Sequence, residues 1–312
     1  MVAASKSGIY RLRSNDSGAT FGKKVKVCDL SGPVGRRRGP RIAVAGKSIV
    51  ITFDSADVYA TRSLDGGDTW SAPLKINRIK NCAEEGLHGM SANASGSVFV
   101  AWLDNRSGQM EVWGSFSGDG GKTWNPDQRI YASPDGHVCE CCHPSVTFSP
   151  DGSVAVMWRN WLNGNRDMYV AKSKPAGSLF GPATKLGQES WKLDACPMDG
   201  GSITTNKQGQ IISAWQSKGV VFRAQGPNNV DSIGPGTQPV LVFSDSAETI
   251  VVYQSDGNLI MKIGNGSKTV LEAGGAFPAL VRIPKSDKIG AAWELNEQGA
   301  SRVKFALIKV GL

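Results

Sequence analysis

The stretch Ser63-Leu64-Asp65-Gly66-Gly67-Asp68-Thr69-Trp70 decides the fold, because it recurs along the chain. A close copy is Ser117-Gly118-Asp119-Gly120-Gly121-Lys122-Thr123-Trp124, a looser copy covers 14–21, and a degraded one covers 173–180. The copies begin roughly 50 residues apart, a spacing typical of a repeated structural unit. An Asp that accepts turn amides, glycines that permit positive φ and an aromatic ring that packs back on the sheet predict a hairpin turn. We therefore expect these Asp residues to be structural rather than catalytic.

Strand-like segments repeat together with this motif. Six apolar segments predict buried second strands, at Ser48–Phe53, Ser97–Leu103, Ser153–Trp158, Ile211–Trp215, Thr249–Tyr253 and Lys288–Trp293. Each follows a candidate first strand, beginning near Arg41, Gly89, Pro144, Pro197, Pro239 and Pro278. The chain also has 38 glycines and no long stretch of helical period, so its 312 residues are predicted to be all-β.

The octapeptide resembles the Asp box, or bacterial neuraminidase repeat, of the sialidase superfamily. The resemblance covers roughly residues 8–186, and the remainder agrees in strand pattern. It implies a single Asp-box β-propeller domain over residues 1–312, and six strand pairs predict six blades. In this interpretation Gly8–Cys28 is the outer half of a blade whose inner half is Phe277–Glu294, which closes the ring by pairing N- and C-terminal strands. The strand-like run Ser301–Val310 has no place in the scheme.

Unusual polar residues concentrate in the segments that lead into the first strands or leave the second strands. The Asp boxes should join the third and fourth strands of each blade. The segments with unusual polar residues are therefore expected on the face of the propeller opposite the Asp boxes. They include Arg36-Arg37-Arg38, His88, the run from Cys139 to His143, and Asp104-Asn105-Arg106. A funnel lined by convergent polar side chains is the default hypothesis for a binding site.

The resemblance to sialidases implies roles for several of these residues. Arg41-Ile42 is similar to the Arg-Ile-Pro start of a sialidase strand, whose Arg belongs to a cluster that grips the substrate carboxylate. The predicted substrate-binding residues are Arg38, Arg41, Asp104, Arg106, Arg159, Arg166 and Asp199. Asp54 or Asp57 is the predicted acid/base and Tyr253 the predicted nucleophile, although Val252-Tyr253-Gln254 differs from the family's Tyr motif. The first predicted function is a glycan-directed exo-glycosidase or acidic-sugar binder, with weak or no sialoside cleavage.

Sulfur and imidazole groups support a second interpretation. The predicted metal ligands are His88, Cys139, Cys141, Cys142, His143, Cys196 and Met198. Soft sulfur and nitrogen ligands suit copper or zinc, and the thioether favours copper. The cysteines alternatively form a disulfide, Cys141 or Cys142 with Cys196, or remain unreactive thiols. A metal-binding or redox protein is therefore the second predicted function, and a non-catalytic interaction scaffold is the third.

Charge and composition limit the partners. The net charge is +8, but Arg36-Arg37-Arg38 is the only tight basic run and no aromatic residues alternate with it, so no nucleic acid is expected. No run of 18 apolar residues is present, so no membrane span is expected. Residues Met1–Gly8 lack the apolar region of a signal peptide, whereas six cysteines favour an oxidising compartment. We expect a periplasmic or secreted monomer whose leader is absent from this sequence.

Overall fold

The computed structural model describes residues 1–5, 7–30, 39–244, 248–297 and 300–310. Throughout these residues the regular structure consists of β-strands, which form antiparallel sheets. The chain divides into two compact units, the first comprising 1–13, 22–185 and 189–200, and the second comprising 14–21, 186–188 and the residues from 201 onward. The described residues contain no helix that would reach across a bilayer.

The first unit contains four sheets. A three-stranded sheet consists of β1 (Val2–Ser5), β2 (Gly8–Arg11) and β3 (Val25–Cys28). The next consists of β4 (Arg41–Ala45), β5 (Ser48–Asp54), β6 (Val58–Ser63) and β7 (Leu74–Lys75). The third consists of β8 (His88–Ala92), β9 (Val98–Asp104), β10 (Glu111–Ser117) and β11 (Gln128–Tyr131). The fourth consists of β12 (Ser145–Phe148), β13 (Ser153–Arg159), β14 (Met168–Pro175) and β15 (Thr184–Lys185).

The second unit contains three sheets. The first consists of β16 (Ser202–Thr205), β17 (Ile211–Ser217), β18 (Val220–Gln225) and β19 (Asn229–Pro235). The second consists of β20 (Thr237–Phe243), β21 (Thr249–Ser255), β22 (Asn258–Ile263) and β23 (Lys268–Ala273). The third consists of β24 (Gly275–Arg282), β25 (Lys288–Glu297) and β26 (Ala300–Lys309).

The predicted count of six blades is wrong, because the described residues form seven sheets and the fold is a seven-bladed β-propeller. All six predicted strand pairs exist, but the N-terminal segment does not complete the sheet at 277–294. Its strand β2 pairs with β1, from Val2 opposite Arg11 to Ser5 opposite Gly8, and so belongs to a sheet of its own. At the other end β26 is the third strand of the last sheet, which explains the run that the six-bladed scheme left over. Neither terminal sheet needs strands from the other.

The Asp boxes form the hairpin turns that the sequence predicted. In the box 63–70, between β6 and β7, the Asp65 carboxylate accepts hydrogen bonds from the Thr69 amide at 2.9 Å and the Ser63 hydroxyl at 2.7 Å. Gly66 and Gly67 have φ of 73° and 95°, and Trp70 Nε1 donates to Gly67 O at 3.0 Å. The carboxylate is therefore engaged within its own turn.

The second strands carry the core of the first unit. Every residue of β9 and β13 is buried, including Trp102 and Trp158, which are completely shielded from solvent. Both strands are covered on both faces because neighbouring sheets pack against each other, as in the apolar cluster that joins Phe99 and Val154. This packing makes the ends of β9 and β13 rigid supports for the residues that follow them.

Replacing Asp65 with asparagine is expected to lower the melting temperature by a few degrees at pH 7. Hydrogen bonds from the Thr69 hydroxyl, the Thr69 amide and the Ser63 hydroxyl lower the pKa of Asp65 in the folded chain. The ionised carboxylate therefore stabilises the fold above the unfolded-state pKa of about 4, and this contribution is lost as the pH falls through the folded-state pKa. Thermal unfolding between pH 7 and pH 2 should show that the difference in melting temperature between the wild type and Asp65→Asn shrinks below pH 4. The control Asp194→Asn changes an exposed carboxylate and should have little effect on the melting temperature at any pH.

Candidate functional site

The register of the sheets in the first unit places the predicted site residues away from the Asp boxes. In the sheet of β8–β11, His88 lies opposite Trp102 at one end. At the other end Val98 lies opposite Ser117, the first residue of an Asp box. Arg41, the first residue of β4, lies at the corresponding end of its own sheet, away from the box at 63–70. The alternation of strands thus separates the structural turns from the candidate site.

Three neighbouring first strands bring Arg41, His88 and His143 to adjacent positions, and we call these three residues the Arg41 row. Strand β4 begins at Arg41, β8 begins at His88, and His143 lies two residues before β12. Strand β8 packs against both β4 and β12. Thr52, the sheet partner of Arg41, bonds through Oγ1 to His88 Nε2 at 3.0 Å. The row therefore combines one guanidinium with two imidazoles.

His88 is a neutral member of this row. Its burial, together with the electrostatic interactions with Arg41 and His143, lowers the pKa of His88 to about 3. The side chain is 1% exposed, and Nδ1 makes no hydrogen bond to a described residue. Arg41 is a half-buried residue, and its guanidinium donates from Nη1 to Gly39 O at 3.0 Å and forms no ion pair with a described residue. Its positive charge is therefore not neutralised within the described part of the chain.

Two glycines let the backbone approach this row closely. A Cβ at Gly89, in β8, would overlap the carbonyl oxygen of Pro144. A Cβ at Gly200 would overlap the carbonyl oxygen of His143 and lie 2.7 Å from its Nδ1. The position of His143 thus depends on the absence of side chains at both glycines.

Arg106 and Asp104, both predicted to bind substrate, form an internal network instead. Arg106 bonds to both oxygens of Asp104, at 2.9 and 2.7 Å, and to Asp127 at 2.8 Å. Its guanidinium also covers the ring of Trp113, 3.9 Å from the ring centroid. Asp104 further accepts hydrogen bonds from Trp102 Nε1 at 2.7 Å and from Cys82 Sγ at 3.0 Å. The guanidinium of Arg106 is thus paired with two carboxylates, and Arg106 has no unpaired positive charge to offer an anionic ligand.

The two predicted acid/base residues differ in their surroundings. Asp57 is buried, and its Oδ1 accepts hydrogen bonds from Asn77 Nδ2 and the Asn81 amide, both at 2.7 Å. Lys75 Nζ lies 3.7 Å from its other oxygen. Asp57 therefore holds the segment after β7 in place. Asp54, at the end of β5, is half-buried and caps the turn through the Ala56 amide at 3.2 Å.

The remaining arginines of the predicted carboxylate clamp donate to groups inside the protein. Arg159 is buried and donates from Nε and Nη2 to Asp199 O, at 3.1 and 3.0 Å, and from Nη1 to Arg166 O at 2.8 Å. Arg166 donates to Leu193 O at 3.2 Å and to Cys139 Sγ at 3.1 Å. Asp199 is itself buried. Arg159 and Arg166 thus connect the loops around β13 with the segment before β16.

Three cysteines meet in the loop before β12. The sulfur of Cys139 lies 3.6 Å from that of Cys141 and 3.4 Å from that of Cys142, and the last two are 3.9 Å apart. Side-chain hydrogen bonds with Cys141 and Cys142, together with the charge of Arg166, lower the pKa of Cys139. Among the described residues, no His, Asp, Glu or further Cys joins these three within ligand distance.

The other predicted metal ligands lie outside this cluster. His88 bonds to Thr52, and Cys196 and Met198 are exposed. The predicted disulfide from Cys141 or Cys142 to Cys196 does not form, since all six cysteines are free thiols. Cys142 is buried against Cys139, whereas Cys196 is at the surface. Of the seven predicted ligands, the structure brings the sulfurs of Cys139, Cys141 and Cys142 together.

Tyr253, the predicted nucleophile, lies in the second unit and is 1% exposed. Its ring packs in the apolar cluster with Leu241 and Val251, and its burial raises the pKa of Tyr253. It borders a cavity of about 300 Å³ that is also lined by Asp256 and Lys268. The predicted ligand Arg38 lies outside the described residues.

Sequence reasoning missed several residues that support the site. Thr52 and Asp127 are single polar residues without a recognisable motif. Trp161 follows β13, and the centroid of its ring lies 5.1 Å from the Arg166 guanidinium. Trp191 precedes β16, and the centroid of its ring lies 5.4 Å from the Arg159 guanidinium. A signal did exist for the two rings, because each tryptophan interrupts a polar segment at the predicted funnel.

Comparison with known families and structures agrees with this fold. The profile of the BNR repeat-like domain matches residues 41–212, more than half of the chain. The NanB sialidase from Streptococcus pneumoniae aligns over 87% of this chain and 68% of its own, with TM-score 0.55 and 9% identity. Trypanosoma rangeli sialidase in complex with sialic acid aligns over 97% and 57%, with TM-score 0.54 and 11% identity.

A lyase shares the fold equally well. Virginiamycin B lyase from Staphylococcus aureus aligns over 97% of this chain and 89% of its own, with TM-score 0.58 and 11% identity. No curated protein matches the sequence significantly. At such low identity the structural matches establish the fold and leave the chemistry to the site itself.

Proposed function

This chain belongs to the BNR repeat-like family, and from that premise we propose that it binds an acidic glycan at the Arg41 row without cleaving it as a sialidase does. The proposal concerns a carboxylated sugar that meets the guanidinium of Arg41. Such glycans occur outside the cytoplasm, so a periplasmic or secreted location fits the proposal.

The observation that carries this proposal is the state of Arg41. The other predicted clamp residues, Arg106, Arg159 and Arg166, donate hydrogen bonds to carboxylates, carbonyls and a thiol within the protein. Arg41 is a half-buried residue, and among the described residues its guanidinium donates one hydrogen bond, to Gly39 O, and forms no ion pair. A guanidinium presents a planar fork of donors that matches a carboxylate, and partial burial strengthens the attraction.

The neighbouring imidazole of His88 also favours binding of an acidic sugar at the Arg41 row. His88 is neutral at physiological pH, and its buried Nδ1 makes no hydrogen bond to a described residue. A buried polar atom without a partner costs free energy, which a hydroxyl or carboxylate of a ligand can recover. Arg41 and His88 together thus offer a charge and a polar atom to one sugar.

Two features argue against sialidase-type hydrolysis. Asp57 is committed to Asn77, Asn81 and Lys75, so it is poorly placed to shuttle protons to a substrate. Tyr253 is buried in an apolar core, and its raised pKa disfavours the phenolate that a nucleophile needs. Binding requires neither residue. The sialic acid in the Trypanosoma rangeli complex suggests the first ligand to test.

Replacing Arg41 with alanine is expected to weaken binding of sialyllactose at least about tenfold, because truncating one member of a desolvated charge pair costs about 2–5 kcal/mol. Isothermal titration calorimetry with sialyllactose, and with lactose as the neutral analogue, measures the effect. Arg62→Ala is the matched control, since Arg62 lies in the same sheet toward the Asp-box end, opposite Val50. Equal affinity of the wild type for the two sugars, or an Arg41→Ala variant that binds normally, would rule out the proposal.

The same preparations separate binding from catalysis. A fluorogenic sialoside should release no more fluorophore with the wild type than with Arg41→Ala, provided that circular dichroism shows both to be folded. Rapid turnover that disappears in Tyr253→Phe would contradict the non-catalytic assignment and make Tyr253 the nucleophile.

A further inference from the structure

The three-cysteine cluster lies in a loop whose first residues are bonded to the end of β13. Cys139 and Cys142 are completely or almost completely buried, whereas Cys141 is half-buried. The Cys139 amide donates to Arg159 O at 2.9 Å, and the preceding residue, Val138, forms a bridge with Asn160. The loop is therefore attached to the end of β13, and the three sulfurs converge without a covalent bond between them.

We propose that Cys139, Cys141 and Cys142 bind one thiophilic d10 metal ion, Cu(I) or Zn(II), through three thiolates. Each thiol loses its proton when the ion binds, and no electron is transferred. This site is chemically independent of the Arg41 row, because it uses sulfur ligands and a cation rather than a guanidinium and an anion.

The sulfur spacing fits such an ion. With separations of 3.4, 3.6 and 3.9 Å, the point in the sulfur plane equidistant from all three lies about 2.1 Å from each. Since a zinc–thiolate bond is about 2.3 Å long, an ion at bonding distance would lie slightly out of that plane. The three sulfurs then form one face of a coordination polyhedron, and no further His, Cys, Asp or Glu among the described residues adds a fourth ligand. Soft thiolates select Cu(I) and Zn(II) over harder ions.

The surroundings of the cluster suit thiolates. Arg166 Nη1 lies 3.1 Å from Cys139 Sγ, and the Asp199 amide lies 3.3 Å from Cys142 Sγ. Both are N–H donors directed at sulfur, as is usual for the outer shell of a metal–thiolate centre. The guanidinium also offsets part of the negative charge that three thiolates would bring into a buried loop.

The two other interpretations of the cysteines explain less. A disulfide would join two sulfurs and leave the third without a partner, and the structure shows three separate thiols. Inert core thiols would be expected among apolar side chains, as small hydrophobic groups. Here a guanidinium and a backbone amide point at the sulfurs instead.

Anaerobic titration of the reduced, full-length protein tests the proposal. Cu(I) is supplied in competition with a chromophoric Cu(I) chelator, and Zn(II) is supplied in a separate series with a zinc indicator. We expect one ion per chain in at least one series, release of protons, and protection of three of the six cysteines from alkylation. X-ray absorption of the loaded protein should show three sulfur neighbours. The two series distinguish copper from zinc.

Cys141→Ser is the informative variant, because Cys141 is the least buried of the three and its replacement should leave the fold intact. Its affinity should fall at least about 100-fold, since losing even an outer-shell partner of a metal costs 10–100-fold. Cys28→Ser and Cys196→Ser are the controls and should bind as the wild type does. The proposal is overturned if neither ion binds stoichiometrically, or if folded Cys141→Ser retains wild-type affinity and thiol protection.

Discussion

Replacing Arg106 with alanine is expected to lower the free energy of unfolding by about 3–5 kcal/mol, because two buried carboxylates would lose their counter-charge. The side chains of Asp104 and Asp127 are 0% and 2% exposed, and Arg106 bonds to both. Water cannot replace the guanidinium without opening the surrounding packing, in which Arg106 also covers Trp113. Urea denaturation at pH 7 measures the change as a lower midpoint.

The pH dependence identifies the cause of this destabilisation. Burial raises the pKa of Asp104, but hydrogen bonds from Arg106, Cys82 and Trp102 outweigh it and hold the pKa below its usual value. The network therefore stabilises the protein above about pH 4, and the difference between wild type and variant should narrow as the pH falls further. Arg106→Lys should be intermediate, since an ammonium keeps the charge but not the bidentate fork.

Arg78→Ala is the matched control for this prediction. The Arg78 side chain is exposed, and only its backbone amide bonds to Asp127, at 2.9 Å, so the variant retains that contact. Its stability should stay within about 0.5 kcal/mol of the wild type. An Arg106→Ala protein as stable as Arg78→Ala would mean that the network contributes nothing.

Replacing Gly89 with alanine is expected to cost about 3 kcal/mol and to disturb the Arg41 row. The new Cβ would overlap the Pro144 carbonyl oxygen, which belongs to backbone and cannot rotate away. Strands β8 and β12 would have to separate, and overpacking of this kind typically costs 1–3 kcal/mol or slightly more. Because His88 and His143 adjoin the two overlapping residues, binding of sialyllactose should weaken as well.

Gly181→Ala provides the comparison. Gly181 has no positive φ, and the nearest atom to its added Cβ would be Lys172 O at 3.5 Å, an ordinary contact. That variant should unfold at nearly the wild-type midpoint and bind normally. A Gly89→Ala protein with the same midpoint would show that β8 and β12 can separate without cost.

The candidate site was only partly predictable from sequence. The funnel residues Arg41, His88 and His143 were identified because each lies near the start of a predicted first strand, and those starts follow from local hydrophobic patterns. The roles of Arg106, Arg159 and Arg166 were not predictable. A guanidinium can donate equally well to a ligand or to a buried carbonyl. The partners here are distant in sequence: Asp127 lies 21 residues from Arg106, and Asp199 lies 40 residues from Arg159.

The sequence by itself determined the strands and the Asp-box turns, because both depend on residues within a few positions of one another. Asp65 accepts hydrogen bonds from Ser63 and Thr69, and Cys139 meets Cys141 and Cys142 within a single loop. Only the tertiary structure decided the number of blades and the partners of the charged residues. Strand β1 is too short and too weakly patterned to be recognised before its pairing with β2 is known. Likewise, a charge at the end of a strand becomes a binding group or an internal support according to which distant segment folds against it.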